Sequence, residues 1–188
     1  MLPRKLNLNL RLLRVVLLLI IFPFNNIISQ GHQTTASTEA IMLSVYTDVW
    51  QPFMESYRAL DIEKFKSLQA NDLTKVSIDR KIIQPKSVYF TEIEGFFNQF
   101  KQVNRQMDIK FSISSTATGD GKVYQTGYYC ISSRRSNSES FQPIGYGFFT
   151  VILIEEVGLW KISMDADNQV TMSAEEFSKS DIIYELGE

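Results

Sequence analysis

Apolar residues near the start of the chain recur at the spacing of a helix. Between residues 41 and 60 they fall three or four positions apart, which predicts an amphipathic helix with one buried face. Pro52 interrupts this stripe. Because a proline inside a helix removes one hydrogen bond and clashes with the preceding turn, we expect a kink or a restart there. The residues of the stripe are Met42, Tyr46, Val49, Trp50, Phe53, Tyr57 and Leu60.

A short second helix is predicted directly after the first. Asp61 is a suitable N-cap, because its carboxylate can accept hydrogen bonds from the free N–H groups of the first turn. Asn71-Asp72 is expected to end this helix. Residues 73–83 then read as two short extended pieces around Asp79-Arg80, and Pro85 ends the pattern.

The clearest amphipathic helix of the chain follows Pro85. Gly95 lies inside it and costs about 1 kcal/mol relative to alanine, so we expect a close backbone contact at that position. The apolar residues that define the buried face are Tyr89, Ile93, Phe96, Phe97, Phe100 and Val103.

From Asp108 onward the pattern changes to strands. Apolar and polar residues alternate with period two, or form long runs rich in aromatic and β-branched side chains. Gly119-Asp120-Gly121 and the turn ending at Gly158 indicate hairpins, so the strands are predicted to form an antiparallel meander. The four predicted strands cover residues 108–118, 122–133, 145–154 and 159–165.

Helices followed by strands indicate an α+β fold rather than alternating α/β units. Aromatic residues on both faces of neighbouring strands suggest a strongly curved sheet. One face would hold the helices, and the other would be partly apolar and could meet a partner subunit.

The N-terminal residues read as an export signal. The chain has 188 residues, of which 44% are hydrophobic, enough for one domain with extensions. Residues 1–29 carry four cations, no acid and an apolar run over 15–22. That run is too short to cross a bilayer, which needs about 20 residues, but fits a signal peptide. We therefore expect a signal peptide over 1–29, a flexible leader over 30–40 and a periplasmic or extracellular protein without a membrane span after cleavage.

Net charge and cysteine content argue against two classes of protein: those that bind nucleic acid and those stabilised by disulfides. Residues 30–188 contain 15 basic and 21 acidic residues, a formal charge of about −6, which argues against nucleic acid as a partner. Cys130 is the only cysteine, so no disulfide can form within the chain, and we interpret it as a small buried hydrophobic residue.

Four segments carry a family resemblance: residues 61–65, 71–77, 95–97 and the closing strands 145–165. Together they resemble the SnoaL-like group of the nuclear-transport-factor-2-like superfamily, as an exported bacterial member. The resemblance implies a cone-shaped curved antiparallel sheet packed around N-terminal helices, a cystatin-like α+β barrel with a cavity at its wide end. It also implies a homodimer through the outer sheet face, and a domain over 41–167.

Residues 168–188 form an extension beyond the family pattern. Ser173 and Glu176 have the spacing of a capping box, and a few apolar residues follow. The extension could dock on the domain or on a neighbour, or be an acidic frayed tail; the sequence leaves both open.

Histidine-based chemistry is excluded from the folded domain. His32 is the only histidine and lies in the leader, so a Ser-His-Asp triad, a Cys-His pair and an H-E-x-x-H zinc site cannot be built. The sequence contains no P-loop and no dinucleotide-binding glycine motif. No metal or cofactor is expected.

Carboxylate and tyrosine chemistry remains. The resemblance implies an Asp base in an apolar cavity with a tyrosine or an acid at the oxyanion, and burial raises a carboxylate pKa toward the working pH. Asp165 on the last strand is the catalytic candidate. Its alternation with Ile162 points it outward unless the strand twists or bulges, and a solvated strand end is the simpler interpretation. Asp79 reads as a solvated turn residue. The candidate ligand-binding residues, each explained as well by packing, are Tyr46, Trp50, Tyr57, Tyr128 and Tyr146.

Three functions remain open. The first is a module that binds a small apolar or amphipathic molecule in the cone without catalysis. The second is a cofactor-free isomerase, dehydratase or cyclase with an Asp general base, and the third is a dimeric assembly module with a filled cavity. A carboxylate buried in the cavity beside a tyrosine hydroxyl would favour the enzyme. An open cavity without ionisable groups would favour binding, and a filled cone would favour assembly.

Overall fold

The computed structural model describes residues 38–187. Its chain divides into Met1–Glu39 and Ala40–Glu188, and the fold below is that of the second unit. The predicted signal peptide and most of the predicted leader lie outside the described residues. Residues 38–40, the last three of the predicted leader, are helical. No helix within the described range is long and apolar enough to cross a membrane.

The part of helix α1 that belongs to this unit covers residues 40–59 and contains the predicted apolar stripe. A π-helical turn at Tyr46–Trp50 separates its first part from the α-helical segment Gln51–Ala59. The irregularity expected at Pro52 is therefore a π turn that ends just before the proline. Leu60 ends the helix with a left-handed backbone, φ 53°.

Helix α2 spans Ile62–Ser67. The predicted cap is confirmed, because the carboxylate of Asp61 accepts a hydrogen bond from the backbone N–H of Lys64 at 3.0 Å. The predicted end at Asn71-Asp72 is wrong: the helix ends at Ser67, and those two residues lie in a strand. Leu68 at the C-cap is buried, and its carbonyl accepts from the N–H of Ile162, which starts the connection to the sheet.

Seven strands form one mixed sheet in the order β2-β1-β6-β5-β4-β3-β7. The predicted antiparallel meander is confirmed for β3 to β6, and the two short extended pieces are β1 and β2. Strand β1, however, pairs with β6 in parallel. The strands are β1 Gln69–Ser77, β2 Ile82–Gln84, β3 Gln106–Gly119, β4 Lys122–Arg134, β5 Gln142–Glu156, β6 Leu159–Val170 and β7 Ile182–Tyr184.

Both predicted hairpin turns contain two consecutive residues with a left-handed backbone, although Val157 is a β-branched residue that rarely adopts it. Asp120 and Gly121 have φ of 51° and 65°, and Val157 and Gly158 have φ of 55° and 76°. Two consecutive left-handed residues are typical of tight hairpin turns, whose twist matches that of the flanking strands.

Helix α3, Lys86–Gln102, packs against the face of the sheet that also contacts α1, and it buries Tyr89 and Phe97. The close contact expected at Gly95 is absent, since a Cβ built there meets no heavy atom within 4 Å. Aromatic rings join the three helices to the sheet. The centroids of Phe53 and Phe65 lie 5.2 Å apart, those of Phe53 and Phe111 also 5.2 Å, and those of Tyr57 and Phe97 5.1 Å.

The C-terminal extension docks on the domain. Helix α4, Ala174–Phe177, begins with the predicted capping box, and β7 pairs antiparallel with β3. Arg58 binds both the tail and the buried Asp108. Its guanidinium donates to the Gly187 carbonyl at 2.6 Å and to Asp108 Oδ1 at 2.6 Å. Strand β6 runs three residues past the predicted domain end at 167.

Replacing Gln69 with methionine should stabilise the protein by about 1 kcal/mol. Gln69 is buried, and neither Oε1 nor Nε2 has a hydrogen-bond partner within the described residues. An unpaired buried amide costs free energy that an apolar side chain of similar shape does not. Urea denaturation measures the change. Gln142→Met, at an exposed strand position, is the control and should change stability by less than about 0.5 kcal/mol. Equal or lower stability of Gln69→Met would contradict the burial of an unpaired amide.

Candidate functional site

A cavity of about 540 Å³ lies between the inner face of the sheet, α1 and α3. Its lining combines apolar, largely aromatic side chains with charged and hydroxyl groups. The apolar lining consists of Trp50, Phe53, Ile93, Phe96, Ile109, Phe111, Ile131, Phe149, Val151 and Ile162. The polar lining consists of Tyr57, Lys75, Ser77, Asp79, Arg80, Gln84, Tyr89, Glu92, Tyr129, Asp165, Asp167 and Gln169.

A β-bulge turns Asp165 into this cavity. Along β6, Ile162 pairs with Leu153 and Met164 pairs with Ile152, so Ser163 has no partner residue on β5. One extra residue reverses the alternation of a strand, so Asp165 points to the same side as Ile162. The Ser163 hydroxyl donates to the Ile152 carbonyl at 3.0 Å. The sequence pattern placed Asp165 outward unless the strand bulged; the strand does bulge, and Asp165 therefore points inward.

The parallel pairing of β1 with β6 places a lysine between two carboxylates. Lys75 lies opposite Asp165, and its Nζ is 3.0 Å from Asp165 Oδ2 and 2.6 Å from Asp167 Oδ1. The Lys75 and Asp165 side chains are only 7% and 11% exposed, and that of Asp167 is 30% exposed. Burial lowers the pKa of Lys75, but the two carboxylates together outweigh it and leave this pKa raised. The ammonium is therefore charged at neutral pH.

Two tyrosine hydroxyls complete this cluster. Tyr89 on α3 donates to Asp165 Oδ2 at 2.9 Å, and Tyr129 on β4 donates to Asp167 Oδ2 at 3.1 Å. The Lys75 ammonium also lies 4.7 Å from the centre of the Tyr89 ring. Burial first, and the neighbouring carboxylates second, raise the pKa of both tyrosines, so both stay protonated as hydrogen-bond donors.

Tyr57 presents a further hydroxyl to the cavity. The residue is 6% exposed, and its hydroxyl has no hydrogen-bond partner within residues 38–187. Burial, and then the Asp165 and Asp167 carboxylates, raise its pKa. A protonated, unpaired hydroxyl in a cavity wall is available to a bound molecule as donor or acceptor.

The five aromatic residues predicted to bind ligand separate into two groups. Trp50 and Tyr57 line the cavity. Tyr46 instead packs against Tyr184 at 5.0 Å, outside the lining. Tyr128 and Tyr146 lie on the opposite face of the sheet, where their rings contact those of Phe148 at 5.3 Å and Phe177 at 5.9 Å. Of the five, Trp50 and Tyr57 are therefore the ones placed on the cavity wall.

Sequence reasoning missed Lys75, Tyr89, Asp167 and Tyr129 as site residues. Tyr89 was identified only as part of a helical stripe, and nothing in the sequence shows that β1 pairs with β6. Asp79, interpreted as a solvated turn residue, does lie in a turn but at the rim of the cavity, where it accepts from the Gln169 N–H at 2.8 Å. In the described part of the chain, no group of three or more His, Cys, Asp and Glu residues could hold a metal ion.

Gly147 makes room for Tyr129, and Gly147→Ala should destabilise the protein by about 1–3 kcal/mol. The two residues are cross-strand partners, and a Cβ at Gly147 would lie 2.1–2.4 Å from atoms of the Tyr129 ring. The ring would have to move, which breaks its bond to Asp167. Thermal or urea unfolding measures the loss. Gly145→Ala on the same strand is the control, because its Cβ meets nothing within 4 Å; equal effects of the two would contradict the contact.

Comparison with known proteins supports the fold and goes no further. No family model matches the sequence, and no curated protein is similar to it. Among solved structures, Aln2 from a Streptomyces species aligns with a TM-score of 0.59 and 11% identity over 69% of this chain and 91% of its own. ActVI-ORFA from Streptomyces coelicolor aligns with a TM-score of 0.56 and 10% identity over 69% and 97%.

A conserved protein from Planctomyces limnophilus aligns with a TM-score of 0.53 and 16% identity, over 70% of this chain and 99% of its own. Likeness at this level of identity concerns the fold alone. The chain has the nuclear-transport-factor-2-like α+β fold that the sequence predicted, with helices packed against one face of a curved sheet.

Proposed function

We propose that this chain binds a small amphipathic molecule in the cavity between sheet and helices. The proposal rests on one cavity whose lining combines two kinds of side chain: apolar, largely aromatic residues and the cluster of Lys75, Asp165, Asp167 and the tyrosines. Ligand sites in proteins are commonly concave, mostly apolar and fitted with a few convergent polar groups. A cavity of about 540 Å³ also speaks against the assembly alternative, which needs a filled cone.

Extraction of the purified full chain tests this proposal. We expect mass spectrometry of the organic extract to recover one compound class that is enriched over a matched control. The control is Ile131→Trp, which enlarges a half-buried side chain of the cavity wall and leaves the polar cluster in place. The same compounds at the same amounts from both proteins, or none from either, would contradict binding in the cavity.

A second function, cofactor-free proton transfer, is favoured by one contact. Asp165 is buried in the cavity beside the Tyr89 hydroxyl, the arrangement that distinguishes the enzyme hypothesis from simple binding. Asp165 Oδ2 accepts from both Lys75 and Tyr89, whereas Oδ1 has no partner within the described residues. In this mechanism Oδ1 takes a proton from a substrate carbon that lies between a carbonyl and a carbon–carbon double bond, while the Tyr57 hydroxyl donates a hydrogen bond to the oxygen of the dienolate. Return of the proton to the far carbon of that double bond moves the double bond into conjugation with the carbonyl and completes an isomerisation.

Deuterium uptake separates the two functions. The extracted compound is incubated in D₂O with the wild-type protein or with Asp165→Asn, which keeps the shape but removes the base. Catalysis predicts carbon-bound deuterium with the wild type only. A compound that is retained but takes up no deuterium would leave the binding function and exclude proton transfer at Asp165.

Export and dimerisation complete the proposal. The cationic start and short apolar run of residues 1–29 support secretion, and N-terminal sequencing of the secreted protein should begin near Gln30.

The sheet face opposite the cavity carries half-buried apolar side chains, among them Phe148, Ile152 and Met164, which supports a homodimer through that face. Light scattering should give the mass of a dimer for the wild type and of a monomer for Phe148→Glu. A monomeric wild type would contradict this interface.

A further inference from the structure

The charged side chains around the cavity do not balance. Its lining contains two cations and four carboxylates, a net charge of −2. Arg80 binds Glu92 through both terminal nitrogens, at 2.8 and 3.1 Å, so these two charges compensate each other. The negative excess therefore belongs to the remaining groups: Asp79, Lys75 and the two aspartates of β6.

Within the polar cluster, one ammonium serves two carboxylates. Lys75 contacts Asp165 and Asp167, and the tyrosines that complete the cluster are neutral. Asp79 at the rim accepts a backbone N–H and has no ion-pair partner among the described residues. Water screens charges weakly in a cavity that is partly removed from solvent. The excess negative charge therefore interacts strongly with any charged molecule that enters.

Unpaired and aromatic groups beside the excess charge are suited to a cation. Tyr57 is 6% exposed and points an unpartnered hydroxyl into the cavity, where it can accept a hydrogen bond. The rings of Tyr57, Tyr89 and Tyr129 line the same cavity, and aromatic faces attract cations. The Lys75 ammonium already lies over the Tyr89 ring in this way.

We infer that the molecule held here carries a positively charged nitrogen at its polar end: an amphipathic amine, whose apolar part packs against the aromatic side chains of the lining. This inference rests on the proposed function and names its ligand class. The ammonium of the ligand lies beside Asp167, the more exposed of the two aspartates, and compensates the negative charge of the cluster. A carboxylate or phosphate at the same place meets the uncompensated negative charge and is excluded.

Three probes of equal chain length and different charge test the inference. Decylamine, decanol and decanoate are titrated into the full chain at pH 7 by calorimetry, below the concentrations at which they form micelles. We expect decylamine to bind about tenfold more tightly than decanol, which is the effect of one modest charge interaction, and decanoate to bind more weakly than decanol.

Two charge-removing variants locate the effect. Asp167→Asn and Asp79→Asn should each reduce the affinity for decylamine by severalfold and leave the affinity for decanol within twofold. Asp120→Asn is the matched control, because Asp120 lies in the exposed β3–β4 turn away from the cavity, and it should change neither. Circular dichroism verifies that each variant is folded.

The outcomes separate this inference from the proposed function. Equal binding of all three probes, or tightest binding of decanoate, overturns the amine ligand and leaves the cavity as a binding site. Loss of decylamine and decanol binding together in Asp167→Asn also overturns it, since the effect would then be one of shape rather than charge. No binding of any probe to the folded wild type overturns both.

Discussion

Replacing Lys75 with methionine should lower the free energy of unfolding by about 3–5 kcal/mol at neutral pH. The ammonium lies between Asp165 and Asp167, at 3.0 and 2.6 Å. Without it, two carboxylates stay close together in a poorly hydrated environment and repel each other. Removing one member of a buried ion pair costs far more than the pair contributes, because it leaves charge uncompensated.

Two further variants test whether the loss of stability comes from the buried charges. Lys64→Met removes an ion pair with Glu55 whose side chains are 39% and 36% exposed, and should cost less than about 1 kcal/mol. Combining Lys75→Met with Asp165→Asn and Asp167→Asn removes all three charges and should recover most of the loss. Urea denaturation at one pH compares the set. A Lys75→Met protein as stable as Lys64→Met would contradict the burial of the cluster.

Alkaline pH should unfold this protein steeply. Tyr57, Tyr89 and Tyr129 have pKa values raised by burial and by the carboxylates, so they hold their protons in the folded state above the pH at which the unfolded chain releases them. Their contribution is complete below pH about 10 and is lost progressively above it. Lys75, whose pKa is also raised, acts in the same direction above its usual value of 10.5.

The size of the effect follows from proton linkage. Each tyrosine that is ionised only in the unfolded state lowers stability by about 1.4 kcal/mol per pH unit, so three give about 4 kcal/mol per pH unit. Denaturant unfolding between pH 9 and 11.5 measures the slope. Tyr57→Phe should reduce it by about 1.4 kcal/mol per pH unit, whereas Tyr124→Phe, at a residue that is 40% exposed, should leave it unchanged. The same slope in Tyr57→Phe would show that this hydroxyl is not held in the fold as described.

Elements with strong periodicity were predictable from the sequence. The stripe of α1, the phenylalanine-rich face of α3 and the β3–β6 meander depend on local patterns that tertiary packing reinforces. The end of α2 was not predictable in this way. Asn71-Asp72 is a typical helix stop, but strand β1 starts at Gln69 because pairing with β6 and β2 provides its hydrogen bonds.

The site depends on two features that no local pattern encodes. A single unpaired residue, Ser163, reverses the alternation of β6 and turns Asp165 inward. Parallel pairing then places Lys75 opposite Asp165, although 90 positions separate them along the chain. Aromatic identity alone could not separate Tyr129, which lines the cavity, from its neighbour Tyr128 on the other face. Assigning the face of each strand residue required the register of the whole sheet.

We expect an amphipathic molecule to enter the cavity beside Trp50. The sequence has two tryptophans, so Trp160→Phe leaves Trp50 as the only reporter, and Trp50→Phe leaves Trp160, which is buried outside the cavity lining. Titration with decanol brominated at its terminal carbon tests the claim, because bromine quenches tryptophan fluorescence on contact. We predict saturable quenching of Trp50 and none of Trp160. Equal quenching of both tryptophans, or no quenching of Trp50 in a folded protein, would contradict binding in the cavity.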